Sequence, residues 1–394
     1  MKKFIEGSHA IAEIVKLCKP GVISAYPITP QTHIVEGLAQ FVADGELNCQ
    51  FVNVESEHSA ASTVLGAVAT GVRSFTATSS QGLLLMAEVI FNIAGMRLPL
   101  VLACANRAVS APISIWNDQQ DVMAVRDSGW ILMFGENNQE VADLHLLGYR
   151  LSEDHRVMLP AMVNLDGYIL THGLETVDMP SQEEVDKFLP AYKPLYKLDP
   201  SDPMTLGCLA TPEHYMETRI AIQKTHEDVL KIIPELTAEF KKVFGRELPG
   251  LVEGYRLEGA QQVIVSMGSI TGTIKETVDD LRNEGKKVGA LKVVTYRPFP
   301  KHAILDALKD VSEIAVVDKS ISLGLNGPLY TDLTSIYLGQ RTVPKVSGFV
   351  IGLGGRDITK NSIRQIVERL SGEQVDCEFI DVKKELLEEK YVGK

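Results

Sequence analysis

No Cys-x-x-Cys pair occurs anywhere in the chain, and its five cysteines, Cys18, Cys49, Cys104, Cys208 and Cys377, stand far apart. Odd in number and unclustered, they make neither a disulfide framework nor a zinc or iron–sulfur site, and most are expected to be reduced core residues. If the function moves electrons, another chain must carry the clusters. A basic excess is missing too: Lys plus Arg number 39 against 51 Asp plus Glu, a formal charge of −12. With no dense basic run and no aromatic residues interleaved with basic ones, there is no track for a phosphate backbone, and nucleic acid is not an expected partner. Long apolar runs are also absent. No stretch reaches bilayer length and Met1-Lys2-Lys3-Phe4-Ile5-Glu6-Gly7 has no signal-peptide core, so a cytoplasmic protein with no membrane partner is expected. Nor does any glycine-rich run have P-loop or dinucleotide spacing. Gly268, Gly272 and Gly352-Leu353-Gly354-Gly355-Arg356 read as turns before they read as phosphate cradles.

What is present is ordinary core-forming material: 45% hydrophobic and 23% charged residues over 394 positions, enough for two or three domains. In the first part, apolar runs alternate with helical stretches. The runs are Gly21–Ala25, Gln50–Val54, Ser74–Thr78, Leu98–Ala103, Gly129–Phe134 and Met158–Leu165, with helices expected over Glu57–Thr70 and Gly82–Ala94. This rhythm predicts a parallel α/β sheet with helices on both faces and ligands beyond the carboxyl ends of its strands. From 173 to 257 the texture changes: prolines cluster, strand periodicity disappears, and one charged helix spans Pro212–Phe244. That stretch reads as a connecting arm, either wrapping another part of an assembly or simply linking domains. A second α/β unit begins at Glu258, with strands at Gln262–Gly268, Val288–Val294, Ile314–Asp318 and Gly348–Gly352. The expected division is 1–172, 173–257 and 258–394.

Three stretches at strand ends can carry chemistry. In Tyr26-Pro27-Ile28-Thr29-Pro30, Pro30 suits the first position of a helix and holds Thr29 extended, so the Thr29 hydroxyl is either a helix cap or a fixed group facing an anion. In Glu55-Ser56-Glu57-His58, Glu57 is either a first-turn acid behind a Ser56 cap or a carboxylate able to share a proton with a ligand. His58 has no spaced His or Cys partner for a metal. Arg107 follows directly on a buried run; it either pairs with one of the many nearby acids or clamps a ligand carboxylate in bidentate fashion. A hydroxyl, a carboxylate and a guanidinium thus converge on one crevice.

Together with Phe75-Thr76-Ala77-Thr78-Ser79-Ser80-Gln81-Gly82-Leu83, Asn106-Arg107-Ala108, Trp116-Asn117-Asp118-Gln119-Gln120-Asp121, Tyr296-Arg297-Pro298-Phe299-Pro300 and Gly352-Leu353-Gly354-Gly355-Arg356-Asp357, these stretches run through nearly the whole chain. In that order they resemble the α subunit of the 2-oxoacid:ferredoxin oxidoreductases. The pyruvate branch is the nearest, through Ser110-Ala111-Pro112-Ile113-Ser114-Ile115-Trp116-Asn117-Asp118, while the Pro27-to-Thr32 run also resembles the branched-chain enzymes.

The resemblance implies a thiamine diphosphate-binding, pyrimidine-type parallel-sheet domain followed by a smaller domain like the C-terminal domain of transketolases. It implies thiamine diphosphate shared with a β subunit that holds the diphosphate and Mg2+. Tyr26, Pro27, Ile28, Thr29 and Glu57 then bind the cofactor, with Glu57 on the pyrimidine ring nitrogen, Arg107 on the substrate carboxylate and Thr29 beside the reacting 2-oxo group. The chain has no Gly-Asp-Gly run followed at family spacing by Asn and no cluster cysteines, so β, γ and δ partners, [4Fe-4S] clusters in them, a ferredoxin acceptor and coenzyme A as co-substrate are implied. Two rival classes predict otherwise: a non-catalytic scaffold, indifferent to loss of the Glu57 charge, and a nucleotide-binding α/β protein using the glycine turns.

Overall fold

The computed structural model of the chain describes residues 1–388. Strands covered on both faces need near-continuous apolar sequence, and Ser74–Thr78, Val101–Asn106, Ile131–Phe134 and Ala161–Asp166 are buried at every position. They belong to a seven-stranded sheet ordered Thr295–Arg297, Ile131–Phe134, Ala161–Asp166, Val101–Asn106, Ser74–Thr78, Val22–Ser24, Gln50–Val52. All its pairings are parallel except that of the edge strand Thr295–Arg297. The expected α/β class is the one observed.

Alternate residues of one strand feed two different cores, as the period of two requires. Val101, Ala103 and Ala105 enter a core with the helices Gly7–Leu17, Asn138–Ser152 and Pro212–Phe244. Leu102 and Cys104 enter a second core, which also takes Val263, Val265, Leu291, Val293, Ile314 and Val316 from the other sheet. That sheet has six strands, ordered Glu378–Phe379, Lys345–Val350, Glu313–Asp318, Gln262–Ser266, Val288–Val293, Val252–Tyr255. Its far face, with Ile264, Ala290, Ala315, Val317 and Phe349, closes a third core. The two sheets therefore share an apolar layer rather than meeting through a linker.

Several expectations from periodicity need correction. The stretch 173–257 does contain strands: Leu174–Asp178 pairs antiparallel with Lys2–Glu6, and Val252–Tyr255 is the antiparallel edge of the six-stranded sheet. Their patterns are weak because a two-stranded ribbon and an edge strand bury little; in Leu174–Asp178 only Val177 is buried. The helix expected over Gly82–Ala94 is two helices, Ser80–Leu85 and Ala87–Gly95, meeting at Met86. The long helix has the bounds expected of it, with Pro212 in its first turn and Gly245 left-handed at its end. Its second half packs Val229, Ile232, Ile233, Leu236 and Phe240 into the first core, while Tyr215, Met216 and Ile220 near its start are exposed. Three cysteines are buried, Cys377 is half-buried and Cys208 exposed, all free thiols.

Candidate active site

Val101–Asn106, Ser74–Thr78, Val22–Ser24 and Gln50–Val52 are consecutive neighbours, all parallel. Their carboxyl ends therefore share one edge, and the segments leaving them carry Arg107, the Ser79–Gly82 turn, the Tyr26–Thr29 run and Glu57.

The helix after Tyr26–Thr29 begins at Thr32, with Gln31 as its N-cap residue. Pro30 is not its first residue and Thr29 does not cap it, contrary to expectation. Gln31 decides this. Its buried carboxamide donates to the carbonyls of Tyr26 and Ala77 at 3.0 Å each, and its backbone N–H to that of Ile28, so the chain makes a full turn before the helix starts. Tyr26, Pro27 and Thr29 are left exposed and Ile28 half-buried on the rim.

The Thr29 carbonyl accepts from Arg107 Nη1 at 2.8 Å, and Arg107 Nε donates to the Ser114 carbonyl at 3.0 Å. Two of the three residues singled out in sequence are thus in direct contact. Arg107 is 6% exposed, yet among the described residues no carboxylate forms an ion pair with it and Nη2 has no partner. Burial lowers its pKa, with Tyr168 and Asp121 opposing. The ion-pair reading of Arg107 gives way to a fixed guanidinium with one edge spare.

Glu57 opens the helix Glu57–Ala69, and Ser56 caps it by accepting from the Ser59 N–H at 3.2 Å. The cap is therefore complete without Glu57. The Glu57 side chain lies across the start of the next helix: a Cβ on Gly82 would sit 2.6 Å from Glu57 Oε1 and 2.6 Å from Thr78 Oγ1. At 7% exposure the carboxylate accepts no hydrogen bond among the described residues, and Thr78 Oγ1 is buried and unpaired beside it. The Glu57 carboxyl thus keeps its hydrogen-bonding capacity open toward the crevice, beside the unpaired Thr78 hydroxyl. His58 is exposed and contributes only its carbonyl, to Ser62.

Asp121 connects these parts, and sequence reasoning gave it no role. Fully buried, it accepts from the N–H groups of Ser80 (2.9 Å), Arg107 (3.0 Å) and Val122 (2.8 Å) and from Asn106 Nδ2 (3.0 Å). Burial pushes it up to about 6 despite those donors. It pins the Ser79–Gly82 turn that abuts Glu57 to the backbone of Arg107; Ser80 Oγ donating to the Ala108 carbonyl at 2.6 Å adds to this. The only sequence signal was its place at the end of the Trp116–Asp121 motif, where strand or helix periodicity says nothing.

The glycines act as turns at Gly268, Gly352, Gly354 and Gly355, all left-handed. Gly272 does not, since it lies inside the helix Ile270–Asn283. The Gly354 N–H donates to Asp118 Oδ2 at 3.1 Å, and any side chain on Gly355 would strike Trp116. The run therefore docks the second sheet's loops on the Trp116–Asp118 segment, beside a cavity of about 790 Å3.

Residues 13–238 match the family model of the thiamine diphosphate-binding region of pyruvate flavodoxin/ferredoxin oxidoreductases, and residues 260–363 match core domain II of pyruvate:ferredoxin oxidoreductase. The chain belongs to this oxidoreductase family. It is 52% identical to pyruvate synthase subunit PorA of Methanothermobacter thermautotrophicus, over 97% of this chain and 99% of that one. Identity is 49% to the same subunit of Pyrococcus furiosus, over 93% of each chain, and 45% to ketoisovalerate oxidoreductase subunit VorA of Pyrococcus horikoshii, again over 93% of each. Among solved structures, 2-oxoglutarate:ferredoxin oxidoreductase from Magnetococcus marinus, with 2-oxoglutarate, coenzyme A and succinyl-CoA bound, superposes with a TM-score of 0.71 at 19% identity. The match covers 94% of this chain and 65% of that chain's length. A split-gene transketolase, an inactive β4 tetramer, superposes at 0.54 and 11% identity over 93% of this chain and 98% of that one. Both likenesses concern the fold, and they place this oxidoreductase subunit among transketolase-like architectures.

Proposed function

We propose that this chain is the α-type subunit of a coenzyme A-acylating 2-oxoacid:ferredoxin oxidoreductase acting on pyruvate. The net reaction takes pyruvate and coenzyme A to acetyl-CoA, CO2 and a proton, with two electrons leaving one at a time to iron–sulfur clusters. One observation carries the reading: Glu57, a mostly buried carboxyl with no hydrogen-bond partner among the described residues, beside a glycine that keeps the space against it clear.

Thiamine diphosphate, when bound, supplies the nucleophilic carbon and the electron sink for decarboxylation. Glu57 supports this by holding a proton at the pyrimidine ring nitrogen, and Tyr26 to Thr29 form the adjoining rim. Arg107 offers Nη2 to the substrate carboxylate, a charge-assisted contact made strong by low exposure. The Thr29 hydroxyl stands beside the 2-oxo group. Its backbone is tied to Arg107, so substrate clamp and hydroxyl move as one unit, which favours a single reactive alignment.

The scattered cysteines of this chain leave [4Fe-4S] clusters to partner subunits of γ and δ type, and Mg2+ with the diphosphate to a β-type subunit. Ferredoxin is the acceptor, and the cytoplasm the location. Among the described residues no helix is long and apolar enough to cross a membrane. A branched-chain substrate is the second reading, favoured by the identity to the ketoisovalerate enzyme subunit.

The test is dye reduction by the assembled complex with pyruvate, 3-methyl-2-oxobutanoate and phenylpyruvate, each with coenzyme A. Pyruvate is expected to give the highest kcat/KM. Glu57→Gln should lower turnover by about 10²- to 10⁴-fold, the usual worth of a positioned proton-transfer group, with the complex still assembled. Near-normal turnover in that variant would remove Glu57 from the chemistry and favour a scaffold role.

A further inference from the structure

Outside the crevice, Glu6, His33 and His172 bring one carboxylate and two imidazoles together from three segments remote in sequence. These are the end of the strand Lys2–Glu6, the first turn of the helix Thr32–Ala43, and the turn after Asp166. One ligand atom from each lies within 4.8 Å of the others. His33 Nδ1 is 2.7 Å from Glu6 Oε1, and His9 Nδ1 stands 3.8 Å from Glu6 Oε2. We propose that Glu6, His33 and His172 form a binding site for a divalent transition-metal ion of the Zn2+ class.

Three features support this over a plain surface hydrogen-bond cluster. The first is orientation: His172 Nδ1 is held at 2.7 Å by the Thr171 hydroxyl, itself fixed by the Tyr168 N–H at 2.8 Å. That leaves Nε2 as the ring nitrogen available to a cation, the outer-shell arrangement typical of metal-bound histidine. The second is charge. The rings of His33 and His172 lie 4.9 Å apart with a carboxylate beside them, so two imidazolium ions would repel, whereas one shared cation satisfies all three groups. The third is donor type: a His, His, Glu set with His9 in reserve suits Zn2+, Co2+ or Ni2+, not Mg2+ or Ca2+, which take oxygen ligands. Zinc requires neighbouring ligand atoms about 3.4 Å apart; His33 Nδ1 and Glu6 Oε1 would have to open from 2.7 Å and the more distant atoms close up, and these half-buried or exposed side chains have room for both.

The site is also connected. His172 stacks on Tyr168 at 4.8 Å, the Tyr168 and Trp116 rings meet tilted at 4.6 Å, and the Trp116 carbonyl accepts from the Ala108 N–H next to Arg107. A bound ion would stiffen one end of a row of rings that finishes at the crevice. The metal assignment itself does not depend on the reading of the crevice.

The experiment uses the tag-free full chain, stripped with a chelator and titrated with ZnCl2 in a calorimeter, with CoCl2 absorption as a second readout. One equivalent of Zn2+ per chain is expected, with a rise in Tm and no response to MgCl2. His33→Gln and His172→Gln should each weaken binding by at least about tenfold, the loss that removing even an outer-shell partner causes, and Cys208→Ser should leave it unchanged. Absence of stoichiometric Zn2+ binding, unaltered affinity in both histidine variants, or thiolate charge-transfer bands in the Co2+ spectrum would overturn the proposal. Melting of each metal-free variant at the parent Tm confirms that the loss is one of ligands and not of fold.

Discussion

The seam between the two sheets and the carboxyl edge of the first sheet both carry charged side chains of low exposure, but these are satisfied to different degrees. At the seam, Asp166 accepts from Lys319 and Ser269 at 3.0 Å or less, with Asn117 and Gln119 also in contact. Burial pushes Asp166 up, but Lys319 and Ser269 outweigh it and hold the carboxyl below the usual range. Lys292 meets Glu136, Glu140 and Glu253 at 2.7, 2.9 and 2.5 Å, and these keep its ammonium charged against burial. At the edge, Glu57 has no donor and Arg107 keeps Nη2 open. Burial of a charged side chain is thus common to the seam and to the crevice. Incomplete pairing is what distinguishes the crevice, because only a group with valence to spare can bind something else.

The largest effect that sharpens this contrast is expected from Lys319→Met, which leaves Asp166 buried without its cation. It should cost about 3–5 kcal/mol of stability, seen as a lower urea midpoint, whereas Glu57→Gln should leave the midpoint in place. Equal losses in the two variants would erase the distinction. Next comes Gly82→Ala. The added methyl displaces Glu57 and Thr78 side chains, and a misplacement of this kind should reduce kcat by up to about a hundredfold while KM for the 2-oxo acid moves little. Arg107→Ala should do the reverse, raising KM by about ten- to a hundredfold, the worth of a hydrogen bond to a charged group; an unchanged KM would take Arg107 out of the pocket.

The smallest effect is on pH dependence. Asp318 is buried and receives only the N–H groups of Leu329 and Tyr330, so burial pushes it from 3.8 up to about 7. Between those values the folded chain binds more protons at this site than the unfolded chain, so its contribution favours folding as pH falls from 7 toward 4 and is lost as pH rises through 7. Asp318→Asn should flatten the slope of unfolding free energy in that window, measured by urea titration at several pH values. An unaltered slope would show that another group carries it.

Much of the fold was legible because buried parallel strands need long apolar runs, and Val101–Asn106 and Ala161–Asp166 supplied them. The ribbon Leu174–Asp178 and the edge strand Val252–Tyr255 were not, since strands that bury little need no pattern. Of the candidate site, Thr29, Glu57 and Arg107 were visible as polar residues just past apolar runs. Their arrangement was not: the early turn fixed by Gln31, the space kept by Gly82 and the four-donor anchorage of Asp121 depend on residues that meet only after the sheet has formed.

By itself, the sequence determined the parallel class and the set of strand ends at which chemistry can sit, through its order of apolar runs and helices, and the lack of any Cys-x-x-Cys pair, through side-chain identity. Which of the hidden polar groups would be fully paired, and which would face the crevice short of a partner, was decided only by the tertiary structure. Hydrogen-bond satisfaction is a property of neighbours brought together from distant parts of the chain, and sequence spacing carries no record of it.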